Sequence, residues 1–202
     1  MTPPKSIALY GGSFDPPHNG HVISITHLLN SPKIEVVWVI PSGDKRYDKE
    51  ATEKGEDRLA LLHLLHEKVF HSESRLKLID AQLRPEFEDS YAITLVDEIR
   101  KRGEKRPLSY VVGADNIEGL PDWKEFERLK EEVTFLVVPR LGETYPVEFP
   151  EYVELLSTEP LASFSLASSD LREKLAKNQE VAGYLPEVVL EEIRARKLYQ
   201  SK

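Results

Sequence analysis

The sequence predicts an α/β fold with a doubly wound parallel sheet, and three observations carry this prediction. Short apolar runs rich in β-branched residues alternate along the chain with amphipathic segments of helical period. The first run is followed at once by two glycines and a helical pattern, which is the order of a strand, a tight turn and a helix. The 202 residues, 40% of them hydrophobic, are enough for a sizeable core. We therefore expect residues 1–202 to form one domain with a C-terminal helical segment.

The composition narrows the classes of protein that the chain can belong to. The net charge of −8 argues against non-specific binding to nucleic acid, which needs a positive surface. No stretch approaches the roughly 18 apolar residues of a membrane span, and the first residues lack the pattern of a secretory signal. The absence of cysteine excludes disulfides and cysteine metal sites. We expect a cytoplasmic protein without membrane partners. Whether it forms a homo-oligomer is left open by the sequence.

The strongest local signal lies in residues 5–21, KSIALYGGSFDPPHNGH. Its apolar run predicts a buried strand, after which Gly11 and Gly12 let the backbone turn tightly and approach a ligand. His18 and His21 then open a helical segment that we expect to end near residue 30. A helix start attracts phosphate, and two histidines one turn apart can donate to the same phosphate chain. The alternative is an ordinary turn followed by solvent-facing histidines.

The second strand and the loop after it complete a predicted βαβ unit. Residues 34–40, IEVVWVI, form a β-branched run, so the crossover is expected to be right-handed. The charged residues 43–57 follow at the carboxyl end of this strand, where open α/β sheets bind ligands. Lys45 is the candidate phosphate ligand in this loop. An amphipathic helix over 57–71 and a third strand over 76–79 are predicted next.

Two further strand ends carry candidate ligands. A helix capped by Ser90 precedes the fourth strand, 108–112. That strand ends in Gly113 and Asp115, and a carboxylate at such a place can accept from ribose hydroxyls or cap a short helix. A fifth strand over 133–138 follows.

The last part of the chain adds one arginine after a strand and one motif at a helix start. Arg140 follows the fifth strand, where a guanidinium can bind a phosphate or carboxylate through two hydrogen bonds. A short sixth strand is expected over 152–156. Ser168 and Ser169 are predicted to cap the next helix, and Arg172 lies one turn further along.

These motifs resemble a known superfamily. GGSFDPPHNGH resembles the signature of the HxGH nucleotidyltransferases, which transfer a nucleotide monophosphate from a nucleoside triphosphate and release pyrophosphate. The GGSFDP opening with HNGH is most similar to the nicotinate or nicotinamide mononucleotide adenylyltransferases. SYAITL, GADN, LASSDLR and the tail GYLPEVV resemble further segments of that family, so the likeness runs from Ile7 to Tyr199. The chain contains neither a Rossmann GxGxxG pattern nor a Walker A loop.

The resemblance implies a Rossmann-like fold of the nucleotidyltransferase type and a reaction of ATP, carried with Mg²⁺, and nicotinate mononucleotide to deamido-NAD and pyrophosphate. The catalytic residues that it implies are His18, His21 and Arg172. The ATP-binding residues that it implies are Gly12, Ser13, Phe14, His18, His21, Gly113, Asp115, Ser168, Ser169 and Arg172. The mononucleotide-binding residues that it implies are Ser13, Phe14, Lys45, Thr94, Trp123 and Arg140. No protein side chain is assigned to a metal.

The chain departs from the family pattern at three places. It has no PPHK-like segment after the second strand, Ala92 replaces a threonine, and Lys124 stands where an aromatic residue is common. Three alternatives therefore stay open: nicotinamide mononucleotide as the acceptor, another HxGH transferase such as a phosphopantetheine adenylyltransferase or a cytidylyltransferase, and a non-catalytic nucleotide-binding protein.

Overall fold

A six-stranded, wholly parallel sheet forms the centre of the protein. The structure is a computed structural model that describes residues 4–44, 51–84, 87, 89–139, 148–156 and 166–200. The strands are β1 (Ser6–Gly12), β2 (Ile34–Pro41), β3 (Leu76–Leu78), β4 (Leu108–Val112), β5 (Val133–Val137) and β6 (Val153–Leu155). Their spatial order is β3-β2-β1-β4-β5-β6. The predicted α/β, doubly wound, Rossmann-like architecture is confirmed.

Helices cover both faces of this sheet. They are α1 (Asn19–Asn30), α2 (Gly55–Leu64), α3 (Ala92–Lys101), α4 (Phe126–Glu132), α5 (Ser168–Ala176) and α6 (Glu187–Arg196). A π-helical turn, Leu65–Val69, continues α2. None of the helices among the described residues is both long and apolar enough to span a membrane.

The strand β1 is central because its side chains are buried on both faces of the sheet. Ile7 and Leu9 pack on the side of α3 and α4, whereas Ala8 packs on the side of α1 and α2. All three are 0% exposed, which is why this strand is a continuous apolar run and not an alternating one. The strand order reverses between β1 and β4, and such a switch point is where open sheets bind ligands.

The C-terminal helices pack against α2 through a separate apolar cluster. Leu171 of α5 and Val189 and Ile193 of α6 are buried there with Leu61 of α2. The cluster therefore holds the start of α5 against the edge where β1 ends. It explains the apolar pattern of the predicted C-terminal helical segment.

Three predicted helix boundaries differ from the structure. The helix predicted from residue 57 begins at Gly55, and the left-handed backbone of His71 (φ 48°) follows its π-helical end. Ser90 does not cap α3, since Tyr91 occupies the cap position and Asp89 accepts the Tyr91 N–H at 3.1 Å. The short helix considered after Asp115 is replaced by two 3₁₀ turns.

Candidate active site

The loop after β1 is shaped by a buried phenylalanine. Phe14 is 0% exposed, and its backbone lies in the left-handed region at φ 48°, which is uncommon for a residue with a side chain. Its ring packs edge-on to Tyr10, with centroids 5.6 Å apart. A Cβ on Gly12 would lie 3.2 Å from the same ring, so glycine is needed there for close packing. The burial of Phe14 therefore determines the path of the backbone at Gly12 and Ser13.

The two histidines of the HNGH motif form one unit at the start of α1. His18 occupies the cap position and is 5% exposed, and its ring stacks on that of His21 with centroids 3.7 Å apart. The His18 N–H donates to Nδ1 of His21 at 3.1 Å. Because Nδ1 accepts, the neutral imidazole of His21 carries its hydrogen on Nε2. His21 is thus arranged to donate from Nε2 to an anion.

The glycine between these histidines is required by the stacked pair. A Cβ on Gly20 would lie 3.0 Å from both Cε1 and Nδ1 of the His18 ring. The same Cβ would lie 3.8 Å from Leu166, two residues before the start of α5. The HNGH spacing is therefore a packing requirement, and it also brings the start of α5 close to α1.

Arg172 and Ser168 bring α5 against the loop that leads into His18. The Arg172 Nη1 donates to the carbonyl of Asp15 at 2.7 Å, between residues 157 positions apart in the chain. The Ser168 hydroxyl donates to the carbonyl of Pro16 at 3.2 Å. Arg172 is therefore bonded to the loop that leads into both histidines, three residues before His18, at one end of the sheet.

The predicted capping role of the two serines is wrong. Ala167 occupies the cap position of α5, and no side chain caps this helix. The Ser168 hydroxyl is directed to Pro16, as described above, because α5 is docked on that loop. Ser169 contacts only its neighbour Asp170 among the hydrogen bonds seen in the described part of the chain, at 3.4 Å.

Asp15 is a buried carboxylate that joins the loop after β1 to the approach to α2. It is 2% exposed and accepts the N–H of Thr52 at 2.7 Å and of Glu53 at 3.3 Å. Its Oδ2 also lies 3.8 Å from Nη1 of Arg172. Burial, with the negative charge of Asp15 nearby, raises the pKa of the Tyr199 phenol, which therefore stays neutral.

The end of β4 contributes the predicted ribose ligand. Asp115 is exposed, and its carboxylate folds back so closely that a Cβ on Gly113 would lie 2.3 Å from Oδ1. The Asn116 side chain donates to the same oxygen at 3.0 Å. Without a side chain on Gly113, the Asp115 carboxylate can fold back over the end of β4, beside β1.

The predicted mononucleotide residues lie around α3 and the turn before α4. Trp123 is half-buried and packs edge-on to Tyr110, with centroids 5.7 Å apart. The Thr94 hydroxyl donates to Asp89 at 3.2 Å, and the Lys124 ammonium lies 3.3 Å from the same carboxylate oxygen. Asp89 therefore links Thr94 to the residue after Trp123. The predicted ligands Lys45 and Arg140 lie outside the described residues.

A cavity of about 500 Å³ opens at the carboxyl ends of β2 and β3. This is within the usual size range of small-molecule sites. Gln82 lines this cavity, and its buried Nε2 has no hydrogen-bond partner among the residues that the structure describes. Lys54, Arg84, Asp44 and Asp89 give the cavity charged walls of both signs. Because Asp89 lines the cavity and bonds Thr94 and Lys124, the cavity lies next to the predicted mononucleotide residues.

The sequence analysis missed one buried charge at this edge, Arg58 of α2. Its side chain is 0% exposed, and it donates to the carbonyls of Ser13, Ser42 and Glu53. The sequence did contain a signal. Arg58 lies three and four residues before Leu61 and Leu62, so it shares the apolar face of the helix with them. An arginine on such a face must be paired internally.

The described residues contain no group of three or more His, Asp or Glu side chains that could hold a metal ion. The acidic side chain nearest to the histidine loop, Asp15, already accepts two backbone N–H groups.

Comparison with known proteins agrees with this geometry. Residues 9–174 match the cytidylyltransferase-like family, and the chain belongs to that family. Within it, the chain is a relative of the nicotinate-nucleotide adenylyltransferases. It is 32% identical over 199 residues to a Bacillus cytotoxicus protein named "Probable nicotinate-nucleotide adenylyltransferase", with 98% of this chain and 100% of the relative covered. A Shouchella clausii protein of the same name is 30% identical, with 96% and 97% covered.

A solved structure with the same fold is the Plasmodium falciparum nicotinic acid mononucleotide adenylyltransferase complexed with NaAD. It superposes with a TM-score of 0.76 over 96% of this chain and 97% of that chain, at 23% sequence identity. At this identity the likeness establishes the fold.

Proposed function

We propose that this protein is an enzyme of NAD biosynthesis that transfers the adenylyl group of ATP to nicotinate mononucleotide, giving deamido-NAD and pyrophosphate. The observation that carries the proposal is the stacked pair His18 and His21, at a glycine turn and helix start, with Arg172 docked on the same loop. Membership of the family and the names of the relatives support the same activity.

The reaction needs little covalent help from the protein. The phosphate of the mononucleotide is ionised at pH 7 and is itself the nucleophile. Its oxygen attacks the α-phosphorus of ATP in line, the bond from that phosphorus to the α,β-bridging oxygen breaks, and pyrophosphate leaves. Catalysis then consists of positioning and of stabilising the charge that develops on the phosphoryl oxygens.

The residues around β1 are assigned to the polyphosphate of ATP. The Nε2–H of His21 donates to a phosphoryl oxygen where charge develops, and His18 holds His21 in place by stacking. Backbone groups of the loop after β1 approach the phosphates. Arg172 binds the β- and γ-phosphates, because α5 places it beside this loop. Side chains at the start of α5 and at the end of β4 complete the ATP site, namely Ser168, Ser169 and Asp115.

The mononucleotide is assigned to the region between the cavity and Trp123. The indole offers a face for the pyridine ring, and a flat aromatic acid needs such a face. The ammonium of the next residue, Lys124, is paired with the Asp89 carboxylate, so the choice of nicotinate over nicotinamide rests on the relatives rather than on this charge.

ATP is expected to enter as its Mg²⁺ complex. The ion neutralises part of the triphosphate charge, and the phosphate oxygens rather than Asp15 are its expected ligands. Removal of Mg²⁺ with EDTA should abolish turnover, and added Mg²⁺ should restore it. Full activity in EDTA would contradict this assignment.

The experiment that tests the function is an acceptor panel read out by pyrophosphate release and by chromatography of the dinucleotide product. ATP with nicotinate mononucleotide should give deamido-NAD, with a kcat/KM above that for nicotinamide mononucleotide. Turnover only with phosphopantetheine, or only with CTP and an alcohol phosphate, would assign the protein to another branch of the superfamily. Nucleotide binding without pyrophosphate release from any pair would favour a non-catalytic protein.

A further inference from the structure

We infer that Arg58 is a positioning residue for adenylyl transfer: its buried guanidinium holds the loop after β1 in the conformation that the phosphate site requires. The inference rests on the proposed function, since it concerns how the same site is built. Arg58 lies in the first turn of α2 and has no exposed side-chain surface. It is not expected to touch either substrate.

All three guanidinium nitrogens of Arg58 are used. Nη1 donates to the carbonyl of Ser13 at 2.6 Å, and Nε donates to the carbonyl of Glu53 at 3.1 Å. Nη2 donates at 2.8 Å both to the carbonyl of Ser42 and to Oδ1 of Asp44. These acceptors come from the segments after β1, after β2 and before α2. One side chain therefore ties the loop after β1 to both ends of the β2–α2 connection, at the carboxyl edge of the sheet.

The bond to Ser13 has a direct consequence for the phosphate site. The carbonyl of Ser13 and the N–H of Phe14 belong to one planar, trans peptide unit, so they point in opposite directions. Because Arg58 holds the carbonyl on the α2 side, the N–H of Phe14 faces away from α2. The N–H of Ser42 also donates to the carbonyl of Gly12 at 2.8 Å, which couples the same loop to the end of β2.

Filling of space alone does not explain a buried arginine at this position. Its carboxylate partner, Asp44, is 56% exposed, so the ion pair is only partly buried while the guanidinium is fully desolvated. Apolar replacements of buried ionic groups are often neutral or stabilising, so a residue needed only to fill this space is better apolar. Lysine has the charge but not the planar fork that reaches both loops at once.

The chain offers a matched control in Arg100 of α3. Its guanidinium donates to the carbonyls of Glu104, Arg106 and Glu132 at 3.0–3.4 Å and to the carboxylate of Glu132 at 3.0 Å. The bonding pattern thus repeats that of Arg58, with three carbonyls and one carboxylate. These acceptors precede β4 and β5, so Arg100 acts at the amino edge of the sheet, away from the phosphate loop.

The test compares Arg58→Lys with Arg100→Lys in the full-length enzyme. Thermal unfolding is measured first, and kcat and KM for each substrate are then measured at a temperature where both variants are folded. Both variants should melt at a lower temperature. Arg58→Lys should lose about 100-fold in kcat/KM for ATP, the size of effect that a small misplacement of a catalytic loop produces. Arg100→Lys should keep the wild-type value within about twofold.

The outcomes separate this inference from the proposed function. If the wild-type enzyme turns over and Arg58→Lys has the same kcat/KM as Arg100→Lys, the inference is overturned and the proposed function stands. If the wild-type protein turns over none of the acceptors, the proposed function is overturned. The effect of Arg58 on the site would then be measured as the affinity of each variant for a non-hydrolysable ATP analogue. If Arg58→Lys does not fold, Asp44→Asn decides, because this exposed side chain tolerates change. It should lower kcat/KM for ATP by about tenfold through the weakened Arg58 fork, and an unchanged value contradicts the inference.

Discussion

The two edges of the sheet use the same charged residue types in different ways. At the amino edge, Arg106 bonds the carboxylates of Glu35 and Glu104 at 2.8 and 2.6 Å, and all these side chains are at least partly exposed. At the carboxyl edge, Arg58 and Asp15 are almost fully buried and bond mainly to backbone groups of loops. Arg106 thus makes surface ion pairs, and Arg100, which also bonds backbone carbonyls at the amino edge, is 29% exposed. Arg58 and Asp15 fix backbone groups from almost fully buried positions.

This difference shows where the fold is built for a ligand. Exposed ion pairs contribute little to stability, typically less than about 1 kcal/mol each, and they can be lost without effect on the chain's path. Buried charges are unfavourable unless paired, so their concentration at one edge indicates a task beyond stability. The glycines with steric requirements near the histidines, Gly12 and Gly20, lie at that same edge. Substitutions at the two edges should therefore differ in activity more than in stability.

The largest expected effect is at His21. His21→Ala should lower kcat by about 100- to 1,000-fold, the usual cost of removing one donor to a developing oxyanion, while the melting temperature changes little. Steady-state pyrophosphate release and thermal unfolding measure the two quantities. His63→Ala is the control, because His63 is an exposed histidine on α2. Near-normal turnover of His21→Ala would show that the histidine pair does not serve the phosphates.

Gly20→Ala should reduce kcat by about tenfold or more, because the added methyl displaces the His18 ring on which His21 stacks. In an ordinary helix the same change stabilises by about 1 kcal/mol. Gly183→Ala is the control, since a Cβ there meets nothing within 4 Å. Equal activity of the two variants would mean that the stacked geometry is not needed for turnover.

Trp123→Phe should raise KM for the mononucleotide by about tenfold and leave KM for ATP nearly unchanged, because the smaller ring offers less stacking surface. Initial rates with each substrate varied in turn separate the two constants. The chain's other tryptophan provides the control: Trp38→Phe lies on β2 outside the proposed site. A rise in KM for ATP alone would place Trp123 on the ATP side.

The smallest effect is expected at the amino edge. The Arg106 guanidinium holds the pKa of Glu104 at about 2, below its ordinary value of 4.5. The carboxylate therefore contributes stability above about pH 4.5, and this contribution is lost as the pH falls towards 2. Glu104→Gln should lower stability at pH 7 by less than about 1 kcal/mol, with no change in kcat/KM. Melting curves of both proteins should converge near pH 2, and a difference that persists there would assign the effect to packing.

Local pattern was sufficient to predict much of the fold and the first half of the site. The strand β1, its glycine turn and the histidines of α1 follow each other within 16 residues, from Ser6 to His21, so short-range periodicity and turn chemistry determine them. The strand β4 was likewise predicted at its observed bounds. Helix caps were predicted less well: the Ser168 hydroxyl bonds the distant carbonyl of Pro16, and at α3 the Asp89 carboxylate accepts the Tyr91 N–H.

The tertiary structure alone decided how distant residues meet. By itself, the sequence determined which strands form, where the backbone can approach a phosphate, and which histidines share a helix start, because these depend on neighbours in the chain. It did not determine that Arg172 would bond the carbonyl of Asp15, or that Arg58 would be buried between the loops after β1 and β2. Those contacts depend on how the helices dock on the sheet and on each other, and docking is set by the summed apolar packing of the chain rather than by any local pattern.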